Sequence, residues 1–168
     1  SAQTATPDLF VSTNDTSGNK VVLRFDGTNG SFIEQFVGPN AGGLGDPVDI
    51  AFGPDGNLYV ADRTSNHIRR YDGVTGDYID IFVNANTGLL DVIALTFGPD
   101  GNLYVASRGS GSYIQRYNGT TGQYIDRFIS ASGISQITDF TFGPDGNLYL
   151  VGFSTQSVLR YSGTTGQF

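Results

Sequence analysis

The sequence predicts an all-β fold built from repeated four-stranded antiparallel sheets, and three observations carry that prediction. A segment of 32 residues, Phe52 to Val83 (FGPDGNLYVADRTSNHIRRYDGVTGDYIDIFV), returns at Phe97 to Ile129 and again, shortened, at Phe142 to Phe168. A worn copy opens the array at Asp8 to Val37. The period is 45 residues from Phe52 to Phe97 and 45 again to Phe142. Each unit divides into four short β-forming runs separated by glycine turns, and no run has the 3.6-residue apolar period of a helix. Four strands in about 45 residues, repeated, is the period of a β-propeller blade.

The strands follow in order within each unit. The first is Val48 to Phe52, with counterparts Ile93 to Phe97 and Ile137 to Phe142. Gly53-Pro54-Asp55-Gly56 then forms a tight turn. Proline presets φ, aspartate tolerates the next position and glycine takes positive φ. The second strand, Asn57 to Ala61, alternates Leu58 and Val60 against Tyr59 and Ala61. A loop of variable length leads to the third, His67 to Tyr71, and a second glycine hairpin, Asp72 to Gly76, turns into the fourth, Tyr78 to Val83. There Asp80 interrupts the apolar run, as suits a partly exposed outer edge. Strands two and three are apolar on both faces, so Leu58, Tyr59, Ile68 and Tyr71 should pack between neighbouring blades.

The segments GPDGNLYVAD and RYDGVTG resemble the NHL-type propeller repeat and, more distantly, gluconolactonase-like and streptogramin-lyase-like propellers. The pairing of FGPDGNLYV with RYNGTTGQY is similar to repeats in secreted proteins of cyanobacteria and planctomycetes. The resemblance covers the chain from Asp8 onward. Because its residues are turn and packing residues, it speaks to fold more than to function.

This organisation gives a tail at 1–7, a partial blade at 8–37, blades at 46–83 and 91–129, and a second partial blade at 137–168. The first copy should lack its innermost strand and the last its outermost, leaving fourteen strands. Three arrangements accommodate that count: a section of a longer ring, a half-ring completed by another copy, and a small four-bladed ring. An open end offers unpaired backbone groups to a neighbouring strand, so self-association or capture of another protein through blade edges is expected.

The formal net charge of −7, with Lys20 the single lysine among nine basic residues, argues against nucleic acid and anionic membrane partners. No run approaches the length of a membrane-spanning helix. Cysteine is absent, so spacing gives no redox evidence. The start Ser1-Ala2-Gln3-Thr4-Ala5-Thr6-Pro7 reads like a mature end left by signal-peptide cleavage, which places the protein outside the cell or in the periplasm.

Candidate chemistry is sparse. The single histidine, His67, is matched in the other copies by Val21, Tyr113 and Ser157, so the repeat does not require it and no catalytic trio can be built on it. Asp46, Asp49, Asp91 and Asp139 lie in or near the connection into the first strand, and Asp62 ends a second strand on the same side. Converging aspartates suit a hard cation. Acids near these strand ends hold a divalent metal in the resembled gluconolactonase group, which makes Ca²⁺ the one cofactor to consider. The match is partial, since Asp62 is replaced by Ser107 and Gly152; ordinary polar loop caps are the competing explanation.

The arginine before each anchoring aromatic (Arg24, Arg70, Arg116, Arg160) recurs in every copy. A sugar- or phosphate-binding comb is one reading. A ladder of bonds to carbonyls or turn aspartates is the other, and recurrence in every blade favours it. Asn118-Gly119-Thr120 fits a glycosylation sequon but is first a hairpin turn. The function expected is that of a secreted, non-enzymatic propeller that binds proteins or glycans or builds an extracellular assembly. The alternative is a metal-dependent lactonase- or lyase-like enzyme.

Overall fold

The computed structural model describes residues 7–109, 111–130, 136–153 and 156–168. The tail expected at 1–7 lies, apart from Pro7, outside them. The strands are β1 (Leu9–Asn14), β2 (Lys20–Phe25), β3 (Phe32–Val37), β4 (Pro47–Phe52), β5 (Leu58–Asp62), β6 (His67–Tyr71), β7 (Tyr78–Val83), β8 (Val92–Phe97), β9 (Leu103–Ser107), β10 (Tyr113–Tyr117), β11 (Tyr124–Ser130), β12 (Ile137–Phe142), β13 (Leu148–Gly152) and β14 (Val158–Tyr161). They form four antiparallel sheets in the orders β1-β2-β3, β4-β5-β6-β7, β8-β9-β10-β11 and β12-β13-β14. The second and third sheets are therefore complete blades. The first lacks an inner strand and the fourth an outer one. Besides strands, the described residues hold two 3-10 turns, Ala41–Gly43 and Ala85–Thr87.

The repeated motifs have local causes. In the hairpin after β4, the Asp55 carboxylate accepts from the backbone N–H of Asn57 at 3.1 Å, from its side-chain amide at 2.8 Å and from the Tyr59 hydroxyl at 3.1 Å. The same three bonds recur at Asp100-Asn102-Tyr104 and Asp145-Asn147-Tyr149. An Asp-Gly-Asn-Leu-Tyr run is thus a self-contained Asx-type turn locked to the strand that follows. The second hairpin needs its two glycines for different reasons. Gly76 has φ 75°, a conformation costly for other residues. Gly73 lies against the first hairpin, and a Cβ there would overlap the Gly56 carbonyl.

The core lies between sheets. Tyr59, Ala61 and Ile68 of the second blade pack with Val92, Leu95, Leu103, Val105 and Tyr117 of the third. Tyr104, Ala106 and Ile114 of the third meet Ile137, Phe140, Leu148, Leu150 and Tyr161 of the fourth. The large side chains Tyr59, Tyr71, Tyr104 and Tyr117 are wholly enclosed. Two blade faces buried against each other explain why the central strands are apolar throughout, and burying a side chain of this size is worth roughly 1.5–3 kcal/mol.

Each inner strand carries a bulge near its start, at Pro47/Asp49, Val92/Ala94 and Ile137/Asp139. In the second blade the bulge turns Asp49 toward the third. Its carboxylate accepts the Leu95 N–H at 2.8 Å, joining the two sheets by a side-chain bond as well as by packing.

Candidate functional site: the loop side and the open edge

The connections β3–β4, β5–β6, β7–β8 and β9–β10 run on one side of the blades, opposite the Gly-Pro-Asp-Gly hairpins. The acids singled out from the sequence are placed there as follows. Asp46 forms an ion pair with Arg63 at 2.7 Å and lies 3.9 Å from Lys20. Asp49 bridges to Leu95 as described. Asp91 is exposed, adopts φ 53°, and accepts from the Arg108 N–H through its backbone carbonyl at 3.1 Å. Asp139 accepts the Phe140 N–H at 2.7 Å. Asp62 is completely buried. Its carboxylate accepts from Arg69 Nε at 2.9 Å, Ser65 Oγ at 2.8 Å, and the backbone N–H groups of Asp46 at 2.9 Å and Gly45 at 3.2 Å.

The structure brings Asp46 and Asp62 into contact through that backbone bond, and sets Asp139 near enough to Asp49 to act on its charge. Ca²⁺ requires about six to eight oxygen ligands around one point. Among the described residues no three acids or histidines meet as a metal-holding group, and Asp46, Asp49, Asp62 and Asp139 are spent on arginine or N–H donors. As arranged here, the five do not fit a calcium cage.

Burial pushes the Asp62 carboxyl up, but its hydrogen bonds, those from Arg69 and Ser65 foremost, outweigh that and hold it below the usual carboxylate range. Burial also raises Asp49, and there the neighbouring Asp139 charge adds to the effect while the Leu95 and Ile50 N–H groups oppose it, so the net displacement is upward. The His67 imidazole is driven down by burial and by the Arg69 charge; its Nδ1 is enclosed with no hydrogen-bond partner among the described residues.

The Asp62–Arg69 pair was not foreseen from the sequence. Arg69 also donates to the Gly42 carbonyl, which fixes the Ala41–Gly43 turn above it. Its counterpart in the third blade is Gln115, which donates to the Thr87 carbonyl at 3.2 Å, while Ser107 stands in the place of Asp62. In the first and fourth blades the position of Arg69 is held by Leu23 and Leu159. Acid and cation change together between copies, and that paired change was the available signal.

The recurring arginines are engaged within their own blades. Arg70 binds Asp80 of the outer strand at 2.6 Å, with Asp55 at 3.8 Å, and Arg116 binds Asp126 at 2.6 Å, with Asp100 at 3.8 Å. Arg24 binds Glu34 at 3.0 Å and Asp8 at 2.7 Å. Their guanidiniums also lie over aromatic rings: Arg70 over Phe82 at 5.1 Å, Arg116 over Phe128 at 5.0 Å and Arg24 over Phe10 at 5.7 Å. The turn aspartate expected from the sequence is the more distant partner, and the outer-strand acid is the close one. Blade four breaks this set. β14 has a single sheet neighbour, β13, and a groove of about 720 Å³ runs beside it, lined by Asn147, Val158 to Ser162, Thr165, Gln167 and Phe168.

Comparison with known proteins agrees with this architecture. Residues 44–71 match the NHL repeat model. The whole fold superposes on a chain of a nidogen–laminin complex with TM-score 0.72 and 16% identity, covering 96% of this chain and 59% of that one. The chain is a run of propeller blades. Hydrazine synthase from Kuenenia stuttgartiensis gives TM-score 0.70 at 20% identity over 95% of these blades and 44% of its own chain. A gluconolactonase from Xanthomonas campestris gives 0.63 at 19% over 83% and 44%. The blades thus span roughly half the length of the solved chains they match, and at these identities the likeness is one of fold. No curated protein sequence matches. Among the described residues, no helix is long and apolar enough to cross a membrane.

Proposed function

We propose that these blades form a secreted, non-enzymatic propeller module that binds protein, either a further copy of itself or another chain, through its open blade edges. The observation that carries this reading is that the outer strands β3, β7 and β11 each have a single sheet neighbour, which leaves one edge of each blade unpaired among the described residues. A sheet edge with free N–H and C=O groups is a template for an added strand. A second support comes from the recurring residues. The turn aspartates, the arginines of the complete blades and the central tyrosines are consumed in building blades, which leaves recognition to the places where one blade differs from the next. The outer strands also carry exposed apolar side chains beside those edges, Ile33, Ile79 and Ile125.

Light scattering over a wide concentration range tests the reading. Mass that rises with concentration, or a stable complex with an added protein that Ile79→Asp abolishes, is the expected outcome. A single monomer mass up to high concentration, with no protein bound at that edge, would contradict it.

A further inference from the structure

The hairpins that follow β2, β6, β10 and β14 share one device. Each opens on a residue whose side-chain oxygen accepts the N–H groups two and three positions on: Asp26, Asp72, Asn118 and Ser162. Only Asn118 brings a carboxamide to that place, and Gly119 follows it. The glycine is imposed by packing, since a Cβ there would overlap the Gly101 carbonyl.

Asn118 Oδ1 accepts from the Thr120 N–H at 3.0 Å, the Thr121 N–H at 2.9 Å and the Thr121 hydroxyl at 3.1 Å. Among the described residues, no hydrogen bond holds the Gly119 N–H or the Asn118 amide nitrogen. Donors at this distance stabilise the negative charge that develops on a carbonyl oxygen when its carbon is attacked. The nearest nitrogen along the chain, that of Gly119, has no side chain to shield it. Asn118 is half-buried, but Thr120 and Thr121 beside it are exposed, so water reaches the turn.

We propose that Asn118 is a self-modification site, at which the Gly119 nitrogen attacks the side-chain carbon and the carboxamide becomes a carboxylate. The Gly119 nitrogen gives up its proton as its bond to Cγ forms, and Oδ1 carries the transient charge. The Cγ–Nδ2 bond then breaks, and the nitrogen leaves as ammonia. Water opens the cyclic imide at the new bond and leaves aspartate. One water is consumed and one ammonia released, and nothing is oxidised or reduced. The product is the hairpin of blade two, where Asp72 accepts the Val74 and Thr75 N–H groups, each at 2.8 Å. Such bonds are stronger to an ionised acceptor, so the turn favours the product.

Two other turns mark the limits of the site. At Asp72 the Thr75 and Val74 N–H groups hold the carboxyl below its usual range, and an ionised carboxylate has no group to expel. The chain's other Asn-Gly pair is Asn29-Gly30. There the Gly30 N–H is bound to the Asp26 carbonyl at 2.8 Å, and a single donor, the Ser31 N–H at 2.8 Å, meets the Asn29 oxygen.

The test incubates the full chain at mildly alkaline pH, folded and in urea, and follows both Asn-Gly pairs by peptide mapping with mass spectrometry. In the folded chain Asn118 should convert at least as fast as in urea, at a rate proportional to hydroxide. Asn29 should convert more slowly folded than unfolded. Thr121→Val removes one donor at an exposed position. It should slow Asn118 about three- to tenfold in the folded chain, the scale of one neutral hydrogen bond, and leave the rate in urea unchanged. Circular dichroism checks that this variant keeps its fold. Asn118→Asp, which carries the product residue, should unfold at no lower temperature than the parent. Slower conversion of Asn118 folded than in urea, a rate indifferent to Thr121→Val, or a destabilised Asn118→Asp overturns the inference.

Discussion

Blades two and three share nearly every turn and core residue, yet they solve one buried polar position in different ways. In blade two a fully enclosed Asp62 meets Arg69, whose side chain is 6% exposed, and four donors converge on the carboxylate. In blade three the same places hold Ser107 and Gln115, neutral and less connected: among the described residues the Ser107 hydroxyl has no partner, and Gln115 donates to the Thr87 carbonyl and accepts from the Tyr117 hydroxyl. Both arrangements carry a 3-10 turn above the blade. The difference teaches that the loop side is held by polar contacts specific to each blade, while the hairpin side is held by the repeat itself. A charged pair makes blade two dependent on keeping both partners, because a lone buried charge is far costlier than a lone buried amide or hydroxyl.

The largest effect should come from separating that pair. Arg69→Ala leaves Asp62 buried and uncompensated and should cost about 3–5 kcal/mol in urea unfolding. Gln115→Ala in blade three removes neutral bonds and should cost about 1–3 kcal/mol. Equal losses at the two positions would break the comparison. The pair also gives blade two an acid-sensitive component. Because the folded-state pKa of Asp62 is depressed, its contribution is present above the unfolded value of about 3.9 and fades as pH falls through the folded value. The Arg69→Ala chain should lose that part of the acid limb.

Smaller effects attend the partly exposed arginines of the blades. Arg70→Ala and Arg116→Ala each remove an ion pair whose acid is about two-fifths exposed, so each should cost under about 1 kcal/mol. Arg160→Ala should cost less than either, since no acid pairs with it among the described residues. Ranking the three by thermal unfolding sharpens the contrast between complete and incomplete blades. A loss at Arg160 matching that at Arg70 would show that the ion pair is not what distinguishes them.

The smallest expected signal is electrostatic. Asp49 is raised by burial and by the Asp139 charge, so Asp139→Asn should lower its titration midpoint in carbon-detected NMR. The sign is opposite to that of Asp62. Ionising Asp49 opposes folding, so its favourable contribution is full below the unfolded pKa and is lost as pH rises through the folded one. An unmoved or rising midpoint would mean that the two inner-strand acids do not sense each other across the blades.

Much of the fold was legible in the chain. The period, the order of four strands and the turn residues all follow from local pattern, because each blade repeats the same short-range chemistry. The missing inner and outer strands were legible by subtraction of one copy from another. The candidate site was less so. Asp80 and its counterparts read as a solvent-facing interruption, although an acid accompanies the arginine wherever an outer strand exists; only the cross-strand register shows them facing each other. Arg69 was passed over because it does not recur. The role of Asp49 depends on a bulge that turns its carboxylate toward the next sheet, and a bulge leaves no mark in an alternation this short. The aspartates looked convergent because they lie on one side, but nearness along a side is weaker than sharing one point.

The account turns on the outer strands β7 and β11 having one unpaired edge while the central strands β6 and β10 are paired on both sides. Native-state hydrogen exchange measures this directly. Amides of Ile68 to Tyr71 and Ile114 to Tyr117 should exchange slowly throughout, whereas in Tyr78 to Val83 and Tyr124 to Ser130 those not bonded to β6 or β10 should exchange within the dead time, and should slow when a partner covers the edge. Uniform protection of β7, equal to that of β6, would contradict it.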